Sequence, residues 1–147
     1  MNKILFIITK SEVGGAQKWV SDQICLIGDA ADCYVSVNEP GWLTNTICKR
    51  KILFDKKIEK KFSIAFFMKL YKFISHHQIK VVVASSANAG IYARLLNLTK
   101  IRNLKIIYVS HGWSAIYKSP LLRFFYIKAE RILSHLSDCI VCVSEED

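Results

Sequence analysis

Three loops of this 147-residue sequence could handle an anion, a sugar or a proton. Gly14 and Gly15 separate an apolar run from a helical pattern, so their backbone N–H groups could approach an anion at a helix N-terminus, or simply form a tight turn. Ser86 and Asn88 could hydrogen-bond sugar hydroxyls or phosphate, and either could equally cap a helix. His111 could carry a proton or donate a hydrogen bond, and a purely structural role is its alternative.

Other motifs narrow the chemistry. Ser144 and Glu145 form a fourth loop of this kind, for which a helix cap is the ordinary role. Cys139 and Cys142 have the spacing of half a zinc site, but an offset of three within a strand puts their sulfurs on opposite faces. Because a second ligand pair is also missing, we expect no metal site. The dinucleotide, Walker and serine-hydrolase glycine motifs are absent, which weakens those three interpretations.

Alternating strands and helices must position these loops. Apolar runs predict strands at residues 4–9, 33–37, 52–54, 80–84, 105–109 and 139–143. Helical patterns cover residues 16–26, 62–75, 89–98 and 119–136. This alternation predicts an α/β chain with a Rossmann-like, doubly wound parallel sheet. In such a sheet, ligands bind beyond the carboxyl ends of the strands, where these loops lie.

Composition and charge set the class of protein. The length fits one domain, and a hydrophobic fraction of 52% excludes a disordered chain. The first apolar run, residues 4–8, is shorter than the roughly seven residues that a signal peptide needs, and no run reaches the length of a membrane span. We therefore expect a cytoplasmic location. Five cysteines, an odd number spread through apolar segments, favour reduced and buried thiols.

The net charge of +9 has a local origin. The densest basic run lies between Lys49 and Lys61, and the helix that follows carries a basic face and a wide aromatic and aliphatic arc. That arc could pack against the sheet and a neighbouring helix, or it could lie on an anionic bilayer. No RNA-binding signature accompanies the lysines, so a phosphorylated ligand or a membrane surface is a better partner than nucleic acid.

In order and spacing, these loops resemble one family. The features are residues 3–9 with Gly14-Gly15-Ala16-Gln17, the turn at residues 85–90 with Tyr92-Ala93-Arg94-Leu95, and the segments at residues 108–114 and 137–145. Over nearly all its length the chain is similar to the N-terminal domain of a retaining GT-B glycosyltransferase of the family 4 type. It departs at Gln17, where the family often has glutamate, and at residues 84–85, where some members have a histidine.

The resemblance implies transfer of a sugar from a nucleotide diphosphate sugar, the donor, to a cell-surface polysaccharide or glycolipid acceptor. Residues 1–147 would be the acceptor-side domain, one half of a GT-B fold. By the same resemblance, Gly14 and Gly15 would lie against the donor diphosphate, His111 would be the catalytic residue facing the donor sugar, and Ser86 and Asn88 would line the acceptor side. Lysine and arginine near the cleft can stabilise phosphate by charge, so no metal or other cofactor is expected.

The family's C-terminal domain, which carries the nucleotide site, has no counterpart in these residues. Residues 144–147 have the composition of a helix start, which also suggests part of a longer protein. We therefore expect the chain alone to be inactive and to need that missing domain as a partner. The alternative is a non-catalytic truncated module that docks a partner subunit or an anionic membrane surface, peripherally at the inner face of the membrane. Such a module would keep the glycine turn without needing His111.

Overall fold

The computed structural model describes residues 2–47, 51–99, 101–112 and 119–143. Its described strands form one six-stranded sheet in which every neighbouring pair is parallel. The strands are β1 Asn2–Ile7, β2 Ala31–Val37, β3 Lys51–Phe54, β4 Val81–Ala84, β5 Lys105–Ser110 and β6 Cys139–Cys142. Their order across the sheet is β3-β2-β1-β4-β5-β6. The predicted Rossmann-like α/β class is confirmed.

The helices follow local sequence signals at their ends. They are α1 Gly15–Ile27, α2 Trp42–Thr46, α3 Ile64–His77, α4 Ala87–Leu96 and α5 Pro120–Ser134, with a 3₁₀ turn at Lys56–Glu59. Gly28 ends α1 with φ of 53°, a conformation that glycine adopts without strain. The Ser63 hydroxyl accepts the Phe66 N–H at the start of α3. Pro120 begins α5 as predicted, but the side chain of Ser119 makes no capping hydrogen bond. Neither α2 nor the 3₁₀ turn was predicted from the sequence.

Helices cover both faces of the sheet. In β1, Leu5 and Ile7 belong to the core under α3 and α4, whereas Phe6 belongs to the core under α1 and α2, because successive side chains of a strand point to opposite faces. Most of the aromatic arc of α3 lies in the first of these cores. Phe66, Leu70 and Ile74 are fully buried there. Packing against the sheet therefore accounts for much of that arc.

A buried arginine links α4, α5 and β5. The side chain of Arg94 has no exposed surface, and its Nε donates to the carbonyl oxygen of Gly90 at 2.9 Å. Its guanidinium makes two hydrogen bonds to Glu130 and lies 4.2 Å from the ring centroid of Tyr108. A side chain at Gly90 would stand 2.5 Å from Cε2 of Tyr108, so only glycine lets α4 approach β5 this closely.

The cysteines depart from the prediction of buried thiols. Cys25, Cys139 and Cys142 are exposed and Cys33 is buried, whereas Cys48 lies outside the described residues. For the first three the prediction is wrong, because Cys25 lies on the outer face of α1 and the other two lie in β6, an edge strand whose four residues are all exposed. Cys142 shares one face of β6 with Ile140 and Cys139 lies on the other, as their spacing predicts.

We expect Asp138 to make folding sensitive to acid. Its carboxylate accepts the Lys105 ammonium and the Ile106 N–H, each at 2.8 Å, and these bonds, the lysine first, hold the pKa of Asp138 below its ordinary 3.8. A depressed folded-state pKa stabilises the fold above about pH 4, and this is lost as pH falls further. Asp138→Asn should lower the free energy of unfolding by about 1 kcal/mol at pH 7 in urea titrations.

The same titrations at pH 3 provide the control for Asp138. There we expect the two proteins to differ by less than they do at pH 7, because pH 3 lies below the ordinary pKa of 3.8 and much of the carboxylate is then protonated in the unfolded chain, so the lowered pKa of the folded state contributes less. An equal difference at both pH values would show that the carboxylate charge contributes nothing to stability.

Candidate functional site

The loops predicted to do chemistry meet between β1 and β4, where the order in which the chain adds strands to the sheet changes direction. From β1 the chain continues to β2 on one side, and it later returns through β4 on the other side. This divergence leaves a crevice at the carboxyl ends of β1 and β4, the usual ligand position in an open α/β sheet. An open cavity of about 280 Å³ lies there, and its lining residues are Ile8, Thr9, Lys10, Ala16, Gln17, Ser85 and Ser86.

The glycine turn presents an uncapped helix start beside this cavity. Gly14 is the N-cap of α1 and Gly15 its first residue, and the first turn has neither a side-chain cap nor an acidic residue. Apart from its chain neighbours and its own helix backbone, no atom of the described residues lies within 4 Å of the place where a Cβ of Gly15 would stand. Gln17 adds no charge, and its Nε2 donates to the Lys10 carbonyl oxygen at 3.0 Å. A Cβ on Gly14 would stand 2.5 Å from the Gln17 Oε1, so the room for an anionic acceptor near the first N–H groups of α1 lies at Gly15.

Ser86 connects the loop after β1 to the start of α4 through hydrogen bonds. Its Oγ lies 2.6 Å from the Thr9 Oγ1 and accepts the Thr9 N–H at 3.2 Å, and it also caps α4 by accepting the Ala89 N–H at 3.4 Å. Of the two predicted cap candidates, Ser86 is therefore the cap, and Asn88 lies inside the first turn of α4. Acceptor binding by these two residues stays a prediction.

Ser85 is a site residue that the sequence analysis treated only as part of the turn. It is fully buried and lines the cavity, and its Oγ has no hydrogen-bond partner among the described residues. A buried hydroxyl without a partner costs free energy, so this group is a ready contact for a ligand or a water molecule. Its position directly after a buried strand was the available signal.

His111 follows β5 at the same edge of the sheet. Its ring is half-buried and packs edge-on against Trp19, with ring centroids 5.6 Å apart. Because Trp19 lies one helical turn beyond Gly15, this contact places His111 beside the start of α1. Gly112 has φ of 116°, which other residues rarely adopt. The adjoining residues 113–118, and the fourth predicted loop at Ser144 and Glu145, lie outside the described residues.

Asn38 is a second residue that sequence reasoning missed. It is 4% exposed, and its Oδ1 accepts the Ser11 N–H at 3.2 Å while its Nδ2 donates to the Glu59 carboxylate at 2.5 Å. Asn88 reaches the same segment from α4 by donating to the carbonyl oxygen of Glu59 at 3.0 Å. The polar residue directly after buried β2 was the only signal for this bridge. Together the two amides hold the 3₁₀ turn at the carboxyl edge of the sheet.

The site therefore combines backbone N–H groups, hydroxyls and an imidazole, which suit a ligand that is both anionic and hydroxylated. Among the described residues, no group of three or more histidine, cysteine, aspartate or glutamate side chains could hold a metal ion. No helix that the structure describes is both long enough and apolar enough to cross a membrane.

Comparison with known sequences gives one consistent family. The profile of glycosyltransferase family 4 matches residues 36–147. The O-antigen biosynthesis glycosyltransferase WbnH of Escherichia coli is 41% identical over all 147 residues, which make up 43% of that protein. The probable O-antigen biosynthesis glycosyltransferase WbiN of Escherichia coli matches to the same extent. The chain thus spans less than half the length of these relatives.

Solved structures show the same fold. The crystal structure of Anabaena HepE in complex with UDP and glucose matches with a TM-score of 0.68 at 15% identity. That match covers 95% of this chain and 37% of HepE. HepE in complex with UDP-glucose matches with a TM-score of 0.63 at 17% identity, over 94% of this chain and 36% of HepE.

Proposed function

The chain belongs to glycosyltransferase family 4, and on that premise we propose that it forms the acceptor-side part of an enzyme that transfers a sugar from a nucleotide diphosphate sugar, with retention at the anomeric carbon. The observation that carries this proposal is the uncapped start of α1 beside the cavity between β1 and β4. The relatives named for O-antigen biosynthesis support a cell-surface polysaccharide or glycolipid acceptor. The structures of HepE with UDP and with UDP-glucose support a nucleotide sugar as donor.

The proposed roles follow the charge that moves during transfer. Breaking the bond between sugar and diphosphate leaves negative charge on the diphosphate, which N–H groups at Gly14 and Gly15 would stabilise more strongly as it develops. His111, on the same side of the cleft, would hydrogen-bond the donor sugar. Ser86 and Asn88 would act on the acceptor side. Their observed bonds imply that they do so by fixing the loops that line it.

Sugar transfer by these residues would need further parts of the enzyme. A nucleotide-binding segment would complete the cleft, and the relatives have room for one because this chain matches only 43% of their length. Residues 1–147 alone would transfer no sugar. The proposed mechanism requires no metal, because Lys10, which lines the cavity, would offset phosphate charge. We propose that the protein is cytoplasmic and contacts the membrane peripherally through α3. On this helix Ile64 and Met68 are 71% and 46% exposed, and Lys72 is exposed as well.

Fusion to a relative tests the proposed transfer. The chain is joined to the part of WbnH that lies beyond the matched segment, and release of nucleoside diphosphate is measured with the donor and acceptor that WbnH itself uses. We expect turnover by the fusion and none by residues 1–147. Intact WbnH is the control for the assay, and circular dichroism checks that the fusion is folded. A folded fusion without turnover, or turnover by the chain alone, would contradict the proposal.

A non-catalytic docking module remains the second candidate. Its support is the row of exposed apolar side chains on α5, among them Leu121, Phe125 and Ile132 at 69%, 59% and 68% exposure. Such a surface is typical of contact with another protein or a membrane. This candidate predicts a folded but inactive fusion, together with binding of anionic vesicles that survives His111→Ala.

A further inference from the structure

The segment at residues 56–61, here called the lysine segment, is held rigidly at the carboxyl edge of the sheet. Ile58 has no exposed surface and lies in the core beneath it. From α4, Asn88 donates to the carbonyl oxygens of Glu59 and Lys60, and the Tyr92 hydroxyl donates to the carbonyl oxygen of Lys60 at 3.4 Å. Burial raises the pKa of Tyr92, so its hydroxyl remains a hydrogen-bond donor at neutral pH.

The acidic groups around the lysine segment are already engaged. Glu39 pairs with Lys56 at 2.8 Å, and Asp55 pairs with Lys69 at 3.0 Å. Burial alone would raise the pKa of Asp55, but hydrogen bonds from the backbone of residue 57 and from Lys69 bring it below its ordinary value. The carboxylate of Glu59 accepts the amide of Asn38.

Three cations of the segment are left over. Lys57, Lys60 and Lys61 are exposed, and none has an ion-pair partner within 4 Å among the described residues. The backbone of the segment is fixed by Asn88, which donates to two of its carbonyl oxygens, and by the Asp55 carboxylate, which accepts the Lys57 N–H. The segment lies at the same edge of the sheet as the cavity. Fixing the backbone in advance lowers the entropy that binding must cost. An anion held here would lie on the side of Asn88, apart from the start of α1.

We propose that Lys57, Lys60 and Lys61 bind a phosphate or diphosphate group carried by the acceptor, and that Asn88 and Tyr92 are positioning residues for them. This inference rests on the proposed function and names the chemical class of its acceptor. In the proposed function the uncapped start of α1 holds the diphosphate of the donor. The lysine segment, which is a separate and cationic element at this edge, is then available for a second anion. Either a phosphorylated glycan or a lipid headgroup supplies that chemistry.

Titration with inorganic pyrophosphate tests the proposal on the ¹⁵N-labelled chain. We expect the amide signals of residues 56–61 to shift, and the triple variant Lys57→Gln, Lys60→Gln, Lys61→Gln to weaken this binding at least about tenfold. The matched control neutralises Lys3, Lys80 and Arg102, which line a cavity at the opposite edge of the sheet, formed in part by the start of β1 and by the residues that precede β4. That variant loses the same charge and should weaken binding less than about twofold.

The outcomes separate this inference from the proposed function. Equal weakening in both triple variants would show a general effect of charge and overturn the inference. Shifts confined to residues 14 and 15 would also overturn it, and would leave the donor site of the proposed function standing. Asn88→Ala keeps every lysine, and an unchanged affinity there would refute the positioning role.

Vesicles distinguish the two sources of phosphate. We expect the chain to bind phosphatidylcholine vesicles containing phosphatidic acid, and the lysine-segment variant to lose this binding, if a headgroup is the natural anion. Binding of free pyrophosphate without vesicle binding identifies a phosphorylated soluble group instead. If neither probe depends on Lys57, Lys60 and Lys61, the segment is not an anion site.

Discussion

Replacing Glu130 by alanine is expected to lower the free energy of unfolding by about 3 kcal/mol. The side chain of Arg94 has no exposed surface, and in the variant its partners among the described residues would be the Gly90 carbonyl oxygen and the Tyr108 ring. The native carboxylate binds both ends of the guanidinium, at 2.6 and 3.2 Å. Because the side chain of Glu130 is 32% exposed, water replaces part of the loss, which places the effect at the low end for a broken buried pair.

An exposed ion pair provides the matched control for Glu130. Lys56 and Glu39 are also close, at 2.8 Å, but their side chains are 77% and 47% exposed. Glu39→Gln should therefore change the free energy of unfolding by less than about 1 kcal/mol. Urea unfolding followed by circular dichroism compares the two variants. Similar losses in both would mean that the burial of Arg94 does not determine the strength of its pair.

The fold could be predicted from the sequence because the signals for its strands and helix ends are local. Apolar runs placed all six strands, and Gly28 and Pro120 marked helix boundaries by backbone preferences that hold in any context. Strand ends were less well placed. Residues 8 and 9 continue the apolar run of β1 but lie beyond its last paired residue, because β4 pairs with β1 only as far as Ile7. The residues of one strand do not show where its neighbouring strand ends.

The site could be predicted from the sequence only in part, because some of its contacts join residues that are far apart in the chain. Gly14, Gly15 and His111 follow or flank strands, and strand ends define a common edge before any contact is known. The bridge from Asn38 to Glu59 spans 21 residues, and that from Asn88 to Glu59 spans 29. Neither can be inferred from spacing along one element. The lysines themselves stood out in the sequence as its densest basic run, but their place at this edge of the sheet depends on these two amides.

Replacing His111 by alanine in the fusion with WbnH is expected to lower kcat by about 10² to 10³. The imidazole packs against Trp19 of α1, and in the proposed function it hydrogen-bonds the donor sugar, so its removal would take away one such bond. The backbone N–H groups at Gly14 and Gly15 stay in place, and the affinity for nucleoside diphosphate should change less than about twofold. Steady-state kinetics and calorimetric binding measure the two quantities separately.

Two further variants make the result on His111 specific. His76→Ala removes an exposed imidazole from the last turn of α3 and should leave kcat unchanged. His111→Gln keeps an amide donor near the same position and should recover part of the lost rate. If His111→Ala retained most of the activity, the histidine would only pack against Trp19. If it abolished diphosphate binding together with turnover, its effect would come from a displaced α1, because loss of one contact to the sugar leaves the diphosphate contacts intact.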